Sequence, residues 1–156
     1  MPDLLVNLLK LPPLESESPE FIVRRAQPFE LSALREFVSE NFSVSWADEI
    51  SMGFARQPVS VFVATAEREL VGFAAYECTR RGFFGPMGVV DKAQHKGMGR
   101  ALLLAALAGL RDLGYVYAII GAAGPVRFYE STVNAIVIPD SEPGIYTDLL
   151  KHKSKQ

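Results

Sequence analysis

An α/β domain, of the α+β kind with a mixed, mostly antiparallel central sheet, is the fold class this sequence predicts, on three observations. Three strand-like runs, Val59 to Thr65, Leu70 to Thr79 and Phe83 to Val90, follow one another across short polar turns, as in an antiparallel meander. A long apolar helical run, Gly99 to Leu113, then leads into the apolar run Tyr115 to Ile120, making a strand, helix, parallel-strand unit. The 156 residues show no shift in composition that would divide them, so a single core is expected.

Taken in order, the chain opens with the apolar stretch Leu4 to Leu11. Asn7 and Lys10 interrupt it, Pro12-Pro13 ends it and no basic region precedes it, so it is not read as a signal peptide. No run approaches the roughly 18 to 20 apolar residues of a membrane span. Leu4, Leu5, Leu8 and Leu9 are therefore expected to pack on the domain or on a second copy. The polar stretch from Glu15 to Glu20 reads as a linker, separating residues 1–20 from a domain over 21–150 and a frayed tail at 151–156.

Phe21 to Arg25 has strand composition, and after Pro28 the residues Leu31, Leu34, Phe37 and Val38 recur on one helical face. A second amphipathic piece runs from about Ser45, a candidate N-cap, to Ala55, just before Gln57-Pro58. In the fourth strand of this domain, Phe83 to Val90, the residues Gly85, Pro86 and Gly88 suit a regular ladder poorly. Proline has no N–H to donate and glycine nothing to pack, so a bulge or splay is expected there. Between Gly99 and Leu113 only Arg100, Arg111 and Asp112 are charged, which predicts a helix buried on most sides, stopped by Gly114. Tyr115 to Ile120 is expected to be covered on both faces. Gly124-Pro125 opens a short helix to about Val133, Ala135 to Ile138 forms the next strand, and Ile145 to Leu150 a final one.

Composition narrows the function classes. Apolar residues make up 49% and charged residues 22%, ordinary for a globular protein and too apolar for disorder. A net charge of −2 carries no global basic footprint, so nucleic acid is not an expected partner and any anion site must be local. The lone Cys78 excludes an intrachain disulfide, fits a reducing cytoplasm, and reads as a buried structural thiol. Membrane association and a metal are not expected.

The chemistry concentrates at Gln94-His95-Lys96-Gly97-Met98-Gly99, between strand and buried helix. Two glycines let the backbone turn and approach a ligand closely, and the first amides of a helix point outward at its positive end, where a phosphate gains hydrogen bonds. Lys92, Lys96 and Arg100 add local positive charge. A Walker loop requires lysine and a hydroxyl residue directly after its last glycine, whereas Arg100-Ala101 follow here. A dinucleotide-binding loop uses three glycines after the first strand of a parallel unit, and this loop has two after a meander.

At these residues the sequence resembles the GNAT superfamily of acyl-CoA-dependent N-acyltransferases, whose hallmark is Gln or Arg, two residues, Gly, one residue, then Gly or Ala. Gln94, Gly97 and Gly99 satisfy that pattern. The order of elements from about Phe21 to Ile138 is similar to the family's as well. His95 departs from a frequent glycine, and Ala122 stands where many members carry asparagine after the fifth strand. The resemblance implies a sheet with a splayed fourth strand and helices on both faces, with acetyl-CoA as acyl donor. Val89 and Val90 would then offer backbone groups to the pantetheine, and the amides of His95, Lys96, Gly97, Met98, Gly99 and Arg100 would receive the pyrophosphate. Phe128-Tyr129 looks like the Phe-Tyr pair that many members place beside the cofactor sulfur, which makes Tyr129 the candidate general acid.

Acyl transfer to an amine needs the amine neutral, the oxyanion stabilised and the departing thiolate protonated. A backbone amide between Met87 and Val90 is the candidate for the oxyanion. The base is left open among Asp48, Glu49, Glu77 and water. Trp46, Tyr76, Phe83 and Phe84 are candidates to wall a largely apolar acceptor pocket, and no carboxylate cluster of the kind a polyamine would need is evident. The expected function is acetyl transfer from acetyl-CoA to a primary amine of a small molecule or peptide, by direct attack in a ternary complex and without an acyl-enzyme. The competing readings are a non-catalytic acyl-CoA-binding regulatory module and a pure interaction protein. The apolar termini lead us to expect a homodimer.

Overall fold

The computed structural model of the protein describes residues 1–14, 18–94 and 96–151. Its elements run β1 (Leu4–Asn7), β2 (Ile22–Arg25), α1 (Leu31–Asn41), α2 (Val44–Ser51), β3 (Val61–Ala66), β4 (Glu69–Tyr76), β5 (Phe83–Val89), α3 (Met98–Asp112), β6 (Tyr117–Ile120), α4 (Val126–Val133) and β7 (Ile136–Val137). The strands form one sheet in the order β2-β3-β4-β5-β6-β1-β7. Only the β5–β6 pair is parallel among the described residues. The meander, the mixed sheet and the parallel unit are therefore as the sequence predicts.

Helices cover both faces because the strands alternate. On β4, Phe73 and Ala75 face Leu34 and Val38 of α1 and Ala47 and Ile50 of α2, whereas Ala74 and Tyr76 face the leucines of α3. Leu102, Leu103, Leu107 and Leu110 are wholly buried, which accounts for the nearly uncharged sequence of α3. Its end is a Schellman motif: Gly114, with φ near 102°, donates to the Arg111 carbonyl and Tyr115 to that of Leu110.

Four expectations are corrected. The fold does not begin after the polar stretch, because β1 lies inside the sheet, antiparallel to β6 and to β7, with Leu4 and Val6 buried under α3. The splayed strand is consequently the fifth in chain order. The N-cap of α2 is Ser43, whose hydroxyl accepts from the Trp46 N–H at 3.1 Å, and not Ser45. Strand β6 is not covered evenly on both faces: Ala118 and Ile120 are buried while Tyr117, on the other face, is 53% exposed. Residues 145–150 form no strand, and Leu149 and Leu150 are exposed. Cis X-Pro bonds stand at Gln57-Pro58, just before the meander, at Gly85-Pro86, inside β5, and at Glu142-Pro143 in the tail.

Candidate active site

The site begins where β5 and β6 part. They pair only at Phe83↔Ile119 and Phe84↔Ile120, after which β5 continues against β4 alone and the other chain turns away through Gly121 and Ala122. The expected bulge is present: Tyr76 pairs with Phe84 and Ala74 with Met87, so Gly85 and Pro86 together oppose Ala75. Gly85 has φ near 111°, a conformation that disfavours any side chain.

The ladder decides which backbone groups face the parting. The Val90 N–H donates to the Val71 carbonyl at 2.9 Å, so by alternation Met87 and Val89 turn their amides away from β4 toward the open side. Val90 therefore does not offer free backbone groups as expected, because its carbonyl is also taken, by the Ala93 N–H at 2.9 Å. Val89 does, although the Gln94 side chain reaches back to its carbonyl at 3.1 Å and to Asp91 Oδ1 at 3.2 Å. Gln94 thus braces the end of β5 rather than extending into the loop.

Gly97 caps α3 in the left-handed conformation, with φ near 80°. The first helical bond runs from the Ala101 N–H to the Gly97 carbonyl at 3.1 Å, leaving the amides of Met98 and Gly99 ahead of it without an intrahelical acceptor. A Cβ on Gly97 would meet nothing within 4 Å, and one on Gly99 only the Phe128 ring at 3.8 Å, so the helix end opens onto a space bounded by that ring. The side chain of Met98 is buried in the α3 core, so only its backbone belongs to this cradle. Lys96 is exposed and Arg100 half-buried on the first turn. His95 lies outside the described residues.

Helix α4 connects this cradle to the parted strands. The rings of Phe128 and Tyr129 meet edge to face with centroids 5.2 Å apart, and Tyr129 meets Phe84, the last paired residue of β5, at 6.2 Å. The Tyr129 hydroxyl has no hydrogen-bond partner among the described residues. Burial pushes its pKa up to about 12, so the phenol keeps its proton throughout the neutral range.

On the opposite face a cleft of about 460 Å³ reaches the same parting, lined by Trp46, Glu49, Thr79, Phe83, Phe84 and Tyr146 among others. Of the three carboxylates considered as base, it contains Glu49 alone. Glu49 Oε2 accepts from Thr79 Oγ1 at 2.6 Å. Asp48 points outward to Arg35 at 3.2 Å. Glu77 is buried in the β4–β5 turn with φ near 60°, where its carboxylate accepts from the Gly82 N–H, a structural role that removes it from the candidates. Trp46, Phe83 and Phe84 wall the cleft as expected. Tyr76 does not, because its hydroxyl is held by Arg25 Nη1 at 2.6 Å beneath α3. Cys78 is buried beside Ser60, and burial pushes its thiol up to about 11, which suits a structural residue.

Two features escaped the sequence reading. Tyr146 sits at the parting, on a tail read as a strand, and Asp3 ties that tail to the wall of the cleft: its Oδ1 accepts from the Ala122 N–H at 2.8 Å and its own N–H donates to Ser141 Oγ at 2.9 Å. Ala122, with φ near 44°, is held there by the N-terminal segment, a contact more than a hundred residues distant that no local pattern signals.

Comparison with known proteins bears on this geometry. The family model for the acetyltransferase (GNAT) domain matches residues 57–132, from just before β3 to near the end of α4. Among solved structures, the GCN5-related glucosamine N-acetyltransferase region of a fungal multi-domain GH3 β-N-acetylglucosaminidase matches with a TM-score of 0.70 and 15% identity, over 88% of this chain and 19% of that one. A GCN5-related N-acetyltransferase from Sphaerobacter thermophilus matches at 0.64 and 18%, over 88% of this chain and 48% of its own. A GNAT family acetyltransferase from Brucella melitensis, in complex with acetyl-CoA, matches at 0.57 and 18%, over 73% and 82%. Such identities show a shared fold, and the chain spans only a fifth to a half of the first two chains. No curated protein matches the sequence. No helix among the described residues is long and apolar enough to cross a membrane.

Proposed function

We propose that the chain, whose residues 57–132 match the acetyltransferase (GNAT) domain model, is an acyl-CoA-dependent N-acyltransferase that transfers an acetyl group from acetyl-CoA to a primary amine, by direct attack in a ternary complex. One observation carries this reading: the open amide end of α3 is linked to the parted strands through Phe128, beside Gly99, and Tyr129, beside Phe84, while a separate cleft reaches the parting from the other face.

The residues fit the donor. The amides of Met98 and Gly99 would receive its pyrophosphate, aided by the positive end of a 15-residue helix, and those of Met87 and Val89 its pantetheine. Bound, acetyl-CoA supplies an acetyl group activated as a thioester. Tyr129 holds its proton at the cofactor side and delivers it to the departing sulfur. Glu49, fixed by Thr79, receives the proton of the incoming ammonium from the other side. An outward amide of β5 stabilises the developing oxyanion.

Titration of acetyl-CoA into the protein and into Gly99→Trp tests this. The indole would fill the space before Phe128 without demanding a left-handed backbone, so Gly99→Trp is the cleaner of the loop substitutions. Binding should weaken about 100-fold, near 3 kcal/mol. No binding to the folded wild-type protein would sink the reading, whereas binding without consumption when amines are added would favour the regulatory module.

Self-association has narrower support than the apolar termini suggested, because Leu4, Val6 and Leu8 are buried in the core of the chain itself. What remains for a homodimer is the edge strand β7, with Ile136 60% exposed. A dimeric mass is expected in light scattering at micromolar protein, and a monomeric one would remove this part of the proposal.

A further inference from the structure

The α2 side of the cleft has a chemistry of its own. Trp46 and Phe83 are half-buried aromatic walls, and the polar groups between them are few. Thr79 gives its hydroxyl to Glu49 Oε2, which leaves Glu49 Oε1 without a hydrogen-bond partner among the described residues. The Tyr146 hydroxyl reaches the mouth of the parting, 3.3 Å from the position that a Cβ on Gly121 would take, and it too has no partner there. Burial, and after it the charges of Glu49 and Asp3, push this phenol upward, as befits a group facing both carboxylates. At the rim, Glu142 is engaged by the Met1 amino group at 2.8 Å.

The position of Tyr146 is held by a chain of contacts. Ser141 Oγ donates to the Ile138 carbonyl at 2.7 Å and accepts from the Asp3 N–H, the Ile138 N–H donates to the Asp3 carbonyl at 2.9 Å, and the Tyr146 N–H closes a turn onto Pro143 at 3.0 Å. Asp3 also holds Ala122 on the facing wall, so wall and tail share one anchor.

We propose that this half of the cleft is the acceptor site and takes a primary ammonium on an apolar body, the ammonium set between the Glu49 carboxylate and the Tyr146 hydroxyl oxygen, with Trp46 and Phe83 against the body. The proposal rests on the acyl-transfer reading above. An ammonium presents three donors, and the two unpartnered oxygens accept two of them while the aromatic faces favour the cation. A polyhydroxylated amine fits less well, because its hydroxyls would be buried against aromatic walls without partners.

Trp46 is the only tryptophan in the sequence and lines this cleft, so selectively excited tryptophan emission comes from one of its walls. The test is titration of 2-phenylethylamine into the protein, with and without CoA, beside 2-phenylethanol and glucosamine. A saturable change is expected with the amine, and binding about tenfold weaker or more with the uncharged alcohol and with the sugar amine. Glu49→Gln and Tyr146→Phe, each checked for folding by circular dichroism, should weaken amine binding by about tenfold. The proposal is overturned by no saturable change in the wild-type protein, by an alcohol or sugar amine that binds as tightly as the amine, or by undiminished binding in either folded variant. The comparison of amine with alcohol needs no variant and stands if one misfolds. Loss of acetyl-CoA binding in calorimetry strikes the acyl-transfer reading instead and is scored separately.

Discussion

Val6→Asp should leave the chain unfolded at 25 °C in buffer that keeps the wild-type protein folded. Val6 is wholly buried in β1, under α3, and pairs with Ala118 of β6. A carboxylate there has no partner, and an uncompensated buried charge costs several kcal/mol against a total stability of roughly 5 to 15 kcal/mol. Among the described residues strand β7 joins the sheet through β1 alone, so the loss propagates to the tail that carries Tyr146. Circular dichroism and urea titration make the comparison with Leu9→Asp, which alters a 68% exposed side chain and should stay within about 0.5 kcal/mol of wild type. A Val6→Asp protein as stable as Leu9→Asp would show that the N-terminal segment is dispensable to the fold.

Tyr129→Phe should lower kcat about 100-fold or more, the usual scale for a lost general acid, while the affinity for acetyl-CoA stays unchanged. The substitution keeps the ring contacts with Phe84 and Phe128 and removes only a hydroxyl that bonds nothing among the described residues. A kcat within twofold of wild type would dismiss Tyr129 as the acid. A stability measurement checks the buried phenol independently of any acceptor. Its folded pKa, pushed up to about 12 from an ordinary value of 10, means that the folded protein holds the proton more tightly than the unfolded chain. The associated stability is therefore fully present below pH 10 and is lost as pH rises toward 12. Over that window wild type should lose about 2 kcal/mol more than Tyr129→Phe in urea titrations, and parallel losses would mean that the phenol is not desolvated.

Much of the site is written in local sequence. Gly85 and Pro86 announce the bulge because a ladder cannot use them, and the glycine pair before a leucine-rich helix announces an open amide cradle for the same kind of reason: a backbone requirement met by few residue types. The choice among carboxylates was not legible. Asp48 and Glu49 are neighbours on α2, and their different fates depend on which one the helix turns toward Thr79 and which toward Arg35. Glu77 is indistinguishable from them in sequence and is spent on the Gly82 amide.

By itself, the sequence determined the mixed sheet, the meander, the buried helix with its Schellman stop and the loop that caps it, since periodicity and glycine placement act within a few residues of themselves. Only the tertiary structure decided that Leu4–Asn7 belongs between β6 and β7, that Asp3 anchors the wall and tail of the cleft, and that Glu49 and Tyr146 line the same cleft. The reason is physical. These contacts join segments of the chain roughly a hundred residues apart, and such pairings follow from how the whole sheet closes and buries its apolar faces, which no local pattern of residue types encodes.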